Sequence, residues 1–248
     1  MNGDFGEYQK RIDTERTYRL MTNSELEAYR VSVGESDLWV LSEQEKQAEI
    51  KKMLKNLRIQ LKDYIDRAPI FATTLVPYPD DLMACELVRW MISASNKAGV
   101  GPMATVAGAI AASIGKQFPG EVMIENGGDI YLCSSKERVI AIAAGKSPFS
   151  GKIGLKLPPS PDGIGICTSA GTVGPSLSFG KADAVVIIAA DTALADAVAT
   201  GAGNLIQVPN DFEKALAYVQ QIPEIQGALL IKNTQMAAWG ELIEICPL

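Results

Sequence analysis

The chain has 248 residues, 47% of them hydrophobic and 21% charged, with a formal net charge of −6 and no histidine. The acidic balance excludes the electrostatic footprint of a nucleic-acid binder. Without histidine there can be no Ser–His–Asp or Cys–His site, no histidine-ligated zinc and no histidine acid–base chemistry.

The start of the chain, Met1 to Arg11, is polar, and no run of about 18 apolar residues follows. Neither a membrane partner nor a signal-peptide core is therefore expected, and the expected location is cytoplasmic. The four cysteines, Cys85, Cys133, Cys167 and Cys246, lack metal-ligand spacing. They read as reduced, buried thiols. Any metal would be held by oxygen, which points to magnesium or calcium.

Residues 1–13 read as a polar tail and 14–248 as a single domain. Thr14–Thr22 and Glu27–Trp39 have strand character, and Val31–Val40, interrupted by Gly34, predicts a bulged strand or a tight hairpin. Ser42-Glu-Gln-Glu45 is a capping box opening a helix that runs to Asp66. Its apolar stripe is Ile50, Met53, Leu54, Leu57, Leu61, Tyr64 and Ile65. Lys51, Lys55, Arg58 and Lys62 form its solvated side. Val76–Pro79 reads as an extended linker, Asp80-Asp81 as the N-cap of a helix running to Ala98, and Gly99 as its stop.

Gly99, Gly101 and Pro102 then introduce a helix of almost nothing but small residues, Ala104 to Ala112. A helix so bare either packs closely on backbone or leaves room for a ligand, and its free N–H groups suit an anion. Val122–Ile124 is a buried strand ending in Asn126-Gly127-Gly128-Asp129, where two glycines permit a tight turn. A helix mouth beside a strand-end turn makes a binding cleft.

Beyond Asp129, short strands are expected over Ile130–Cys133, Val139–Ala144, Ile153–Leu157 and Ile164–Thr168, with Pro158–Gly163 a loop. Thr168 to Gly174 is rich in hydroxyls and glycines and could form a phosphate nest, although it lacks the lysine and spacing of a P-loop. Ala184–Ala190 reads as a central strand and Thr192–Ala202 as a second small-residue helix. Asn210 reads as the cap of a helix ending near Gln221. Ala228–Lys232 and Leu242–Ile245 finish the sheet. Strands and helices do not alternate strictly, which favours an α+β fold over a Rossmann arrangement.

Asp196 and Thr200 are four apart on the second small-residue helix, so their oxygens share one face and could form half a shell for a hard cation. The alternative is that Thr200 bonds back to the Asp196 carbonyl while Asp196 caps a loop. Cys167 has no base in sight and reads as core.

Four segments in order carry a resemblance: Gly101-Pro-Met-Ala-Thr-Val-Ala-Gly108, Glu125-Asn-Gly-Gly-Asp129, Thr168-Ser-Ala-Gly171 and Ala195-Asp-Ala-Val-Ala-Thr200. In them the chain resembles the ApbE superfamily of magnesium-dependent flavin transferases, and most closely its uncharacterised cytoplasmic branch. The resemblance implies an ApbE-like α+β domain with a mostly antiparallel mixed sheet and packed helices. It also implies a site for flavin adenine dinucleotide (FAD) with magnesium on the pyrophosphate. Asp196, Thr200 and the Ala104 carbonyl would hold the metal. Ala104, Thr105, Asn126, Gly127, Gly128, Asp129, Thr168, Ser169 and Gly171 would line the flavin site.

Two positions depart from the family pattern. Thr105 stands where the transferases place a lysine, and the Gly174–Gly180 loop stands where they carry a histidine. The functional expectation is therefore a flavin-binding protein, with hydrolase or transferase chemistry that lacks the usual base. The alternatives are a non-catalytic flavin or nucleotide binder and a homo-oligomeric scaffold.

Overall fold

The computed structural model describes residues 25–171 and 180–248. The tail 1–13, the expected strand Thr14–Thr22 and most of the Gly174–Gly180 loop lie outside the described residues. Val31–Val40 is the tight hairpin: β1 (Glu27–Val33) and β2 (Ser36–Ser42) pair in register, with Gly34 at φ 58° in the turn.

Helix α1 (Gln47–Arg67) buries Ile50, Leu54, Leu61 and Tyr64, as the stripe predicts. The capping box does not form. Ser42 ends β2 instead, where its hydroxyl meets Tyr29 Oη at 2.8 Å and donates to the Gln44 carbonyl at 2.7 Å. Cross-strand pairing thus takes the expected cap, and Lys46 precedes the helix with no side-chain capping bond.

After the single helical turn α2 (Ile70–Thr73), the Val76–Pro79 segment is extended but fastened. Asn96 accepts the Tyr78 N–H at 3.0 Å and donates to the Tyr78 carbonyl at 2.9 Å. The expected cap at Asp80-Asp81 is displaced, because α3 (Glu86–Ala98) starts five residues beyond Asp81. Asp81 instead accepts the Met83 N–H and the Tyr64 hydroxyl, both at 2.9 Å, and so closes a local turn.

Gly99, at φ 70°, ends α3. The chain then bends by 102° through a 3-10 turn (Pro102–Thr105) into α4 (Val106–Gly115). The smallness of α4 has a packing cause. A Cβ on Gly108 would lie 2.6 Å from the Thr192 carbonyl oxygen, and one on Gly115 would lie 2.1 Å from the Tyr131 ring.

Strands β3 (Val122–Asn126) and β4 (Asp129–Ser134) are joined by Gly127 and Gly128, at φ 68° and 105°. The glycine pair supplies the positive φ angles that a two-residue hairpin turn requires. Then come β5 (Arg138–Ala141), β6 (Ile153–Leu157) and β7 (Ser160–Ser169). β7 begins inside the expected Pro158–Gly163 loop, since Ser160 pairs with Ser134 across an irregularity in the β4 ladder. That irregularity lets the strand continue past its turn residues.

β8 (Ala184–Ala189), α5 (Thr192–Asn204), α6 (Phe212–Gln220), β9 (Ile225–Lys232), β10 (Gln235–Trp239) and β11 (Glu244–Pro247) complete the chain. Asn210 does not cap α6. Asp211 beside it accepts the Gln207 and Val208 N–H groups at 2.8 and 2.9 Å.

Eight strands form one sheet in the order β1-β2-β3-β4-β7-β8-β9-β10, and β11-β6-β5 form another. Every pairing among the described residues is antiparallel. The Leu242–Ile245 expectation is therefore corrected: β11 overlaps it but pairs with β6, not with the large sheet. β8 is central as expected, with neighbours on both sides and all six residues buried.

Three layers result. Helices α1 and α3–α5 pack on one face of the large sheet around Ile124, Tyr131, Ile187 and Leu230. The small sheet packs on the other face, through Leu155 and Leu157 against Met123, Leu132, Ile166 and Ile188. The fold is α+β.

Candidate functional site

Strand alternation sorts the site residues by face. Val122 and Ile124 point to the helices and Met123 to the small sheet. Asn126 therefore faces the helices, and so do its ladder partner Asp129 and, across β4 and β7, Cys167. Glu125 and Thr168 fall on the opposite face. Ser169 returns to the helix side, where its Oγ would lie 3.2 Å from a Cβ on Gly203 of α5.

On the helix face the N-terminus of α4 meets α5. Gly108 N–H, which an unbroken helix would direct to the Ala104 carbonyl, donates to Asp196 Oδ2 at 2.9 Å. Asp196 thus caps a neighbouring helix, satisfying an N–H group that helix geometry leaves without an internal partner. Asn126 Nδ2 donates to the Ala107 carbonyl at 3.1 Å, tying the glycine turn to the same helix end.

Asp196 is 8% exposed and Asp129 is 7% exposed. Burial pushes the Asp196 carboxyl up to about 7, against the opposing effect of the Gly108 and Ala107 N–H groups. Burial also drives the Asp129 carboxyl well above the usual range, and the neighbouring Asp196 and Glu125 charges add to it. No lysine or arginine is among the groups that act most strongly on either acid. Two buried carboxyls side by side without a counter-charge hold protons, or attract a cation, more strongly than isolated ones do.

The Cys167 thiol lies 3.3 Å from the Thr192 carbonyl and against the Asp129 carboxyl, and burial pushes it far from ionising. It is core, as the sequence suggests, but core in contact with the acid pair. The Thr105 hydroxyl is buried and donates to the Pro102 carbonyl at 2.7 Å. Ala104 is half-buried at the helix mouth and Thr200 is half-buried one turn beyond Asp196. Gly127 and Gly171 are exposed, and the Gly171 N–H bonds the Ala182 carbonyl at 3.0 Å.

Helix mouth, glycine turn and Asp196 are therefore brought together, whereas the Thr168 side chain is turned to the other face. Glu125 opens the Glu125–Asp129 motif but has no role assigned from sequence; its Oε1 accepts the Gly128 N–H at 2.7 Å. Its signal was available: a glutamate where strand alternation demands burial.

The family described as AbpE bacteria matches residues 19–236. The chain belongs to this family. Its relatives include the UPF0280 protein of Methanocella arvoryzae, 42% identical over 196 residues, which are 76% of this chain and 78% of that one. The UPF0280 protein of Methanococcus vannielii is 37% identical over 245 residues, covering 89% and 99% of the two chains. Among solved structures, the flavin transferase ApbE of Vibrio cholerae superposes with a TM-score of 0.57 at 10% identity, covering 87% of this chain and 96% of that one. The apo flavinyl transferase ApbE of Pseudomonas stutzeri gives 0.52 at 14%, covering 88% and 95%. The fold is thus the one seen in the ApbE flavin transferases.

Proposed function

We propose that this protein binds a flavin nucleotide, FAD, together with magnesium at the mouth of α4. The observation that carries the reading is the buried Asp129–Asp196 pair set against a helix N-terminus and a glycine turn. Helix N–H groups and glycine backbone suit phosphate, and the uncompensated acids suit a hard divalent cation.

Among the described residues, no group of three or more histidine, cysteine, aspartate or glutamate side chains is arranged to hold a metal ion. By the resemblance to the ApbE family, Asp196 would be its one charged ligand, with Thr200 and the Ala104 carbonyl as neutral ones and phosphate oxygens completing the shell. That donor set is all oxygen and fits magnesium. The ion would neutralise phosphate charge and polarise the phosphorus–oxygen bonds. Asn126 would orient the glycine turn against the ligand, and the N-terminus of α4 would add its positive end.

The test is a set of thermal melts with and without FAD and magnesium. Dinucleotide at a hundred times its dissociation constant should add about 2.7 kcal/mol of stability. The increment should be larger with magnesium present. Asp196→Asn retains an oxygen that can cap α4 but removes the charge, so it should abolish the magnesium increment. Equal increments in parent and variant would remove the metal site.

A catalytic reading has one observation in favour. Burial raises the Asp196 carboxyl to about 7, where it can exchange a proton near neutrality, and shifts Asp129 in the same direction, in a chain without histidine. Incubation with FAD and magnesium, followed by chromatography for flavin mononucleotide and AMP, tests it. Intact dinucleotide would leave a binding protein.

A further inference from the structure

We infer that Glu125 is a positioning residue that sets the shape of the Gly127–Gly128 turn from the face of the sheet opposite the candidate site. The inference deepens the flavin reading and rests on it for what the turn would touch. Glycine has the widest conformational freedom of any residue, so a Gly-Gly turn does not determine its own geometry. Two neighbouring side chains supply what the glycines lack. Strand alternation sends Asn126 to the helix side, where Nδ2 donates to the Ala107 carbonyl at 3.1 Å. It sends Glu125 the other way, and Oε1 accepts the Gly128 N–H at 2.7 Å.

The turn is thus held from both faces of the sheet. The Glu125 bond is short, at 2.7 Å. Glu125 is also 2% exposed and lies near Asp129, where a polar side chain is costly to bury. A leucine or valine would fill the same position between Trp39 and Ile130 without that cost, but could not accept the Gly128 N–H. Gly128 leads directly into Asp129, so any change in the turn is passed to the acid pair.

The experiment compares the parent with Glu125→Gln, which keeps an accepting oxygen at the same reach, with Glu125→Asp, which is one carbon too short, and with Glu125→Ala. Two quantities are read: the exchange rate of the Gly128 amide by NMR, without ligand, and the affinity for FAD with magnesium by flavin fluorescence. Glu125→Gln should exchange and bind within about threefold of the parent, while Glu125→Ala and Glu125→Asp should each lose about tenfold in affinity and in amide protection.

A residue that only supports the fold would lower the melting temperature without moving the affinity measured far below it. That outcome would overturn the proposal, as would Glu125→Gln failing as badly as Glu125→Ala. If Glu125→Ala does not fold, the Asp and Gln variants decide between them. If the parent binds no FAD, the flavin reading falls, and Gly128 exchange alone decides whether Glu125 sets the turn.

Discussion

Gly99 and Gly108 are required for different reasons, and the difference can be measured. Gly99 has open space where a Cβ would go, but its φ of 70° is left-handed. Gly99→Ala should therefore cost about 1–2 kcal/mol, the strain of a side chain in that region. Gly108 has no left-handed φ among its constraints; its added Cβ would meet the Thr192 carbonyl oxygen at 2.6 Å and Asp196 Cβ at 3.0 Å. Overpacking of this kind costs about 1–3 kcal/mol, and here it also displaces the Asp196 carboxyl. Urea unfolding should find both variants destabilised. Gly108→Ala alone should also lose ligand-dependent stabilisation.

Two joints between elements are made by single side chains. Asp196 of α5 caps α4, so Asp196→Ala should cost about 1 kcal/mol beyond Asp196→Asn, which retains an accepting oxygen. Equal stabilities in urea would show that the cap contributes nothing. Asn96 of α3 holds the extended segment at Tyr78 by two hydrogen bonds. Asn96→Ala removes both and should make the bonds around Val76–Pro79 the first cut in limited proteolysis. An unchanged digestion pattern would mean that Phe71 packing, edge-on to Tyr64 and Tyr78, holds the segment by itself.

At the scale of the molecule, the raised acids make stability depend on pH. The Asp196 carboxyl rises from an ordinary value of 3.8 to about 7, so the folded chain binds a proton more tightly than the unfolded chain does. Stability is then greatest below the unfolded value and falls as pH rises from about 4 through 7. Asp129 is shifted the same way and adds to the effect. Glu121, held down to about 2 by Ser134, Ser135 and Arg138 in spite of burial, acts oppositely but below the window from pH 5 to 8. The unliganded protein should therefore melt at a lower temperature at pH 8 than at pH 5.5, and Asp196→Asn should flatten that slope. A parent melting temperature that does not fall across the window would contradict the assignment of these acids as buried and raised by burial. We also expect one cooperative unfolding transition for residues 14–248, to be checked by calorimetry against the van't Hoff enthalpy.

Local pattern was enough for the parts of this protein that local forces decide. The stripe from Ile50 to Tyr64 specified α1, Gly99 specified the end of α3, and Gly127-Gly128 specified the β3–β4 turn, because side-chain period and left-handed φ are properties of a few adjacent residues. The mixture of strands and helices was legible as α+β, and the ordered motifs from Gly101 to Thr200 were legible as ApbE-like. The decisions that needed tertiary structure were those with two competing local answers. Ser42 and Asp81 each offered a helix cap and each took a different backbone or cross-strand partner, while the cap position expected at Asn210 fell to its neighbour Asp211. β11 had strand character, but only the packing of two sheets determined that it pairs with β6. The site itself was of this second kind. Asp129 and Asp196 lie far apart in sequence, and their charge state depends on burial and on each other. Whether Glu125 and Thr168 face the helices or the small sheet depends on register, where a shift of one residue would reverse every side chain.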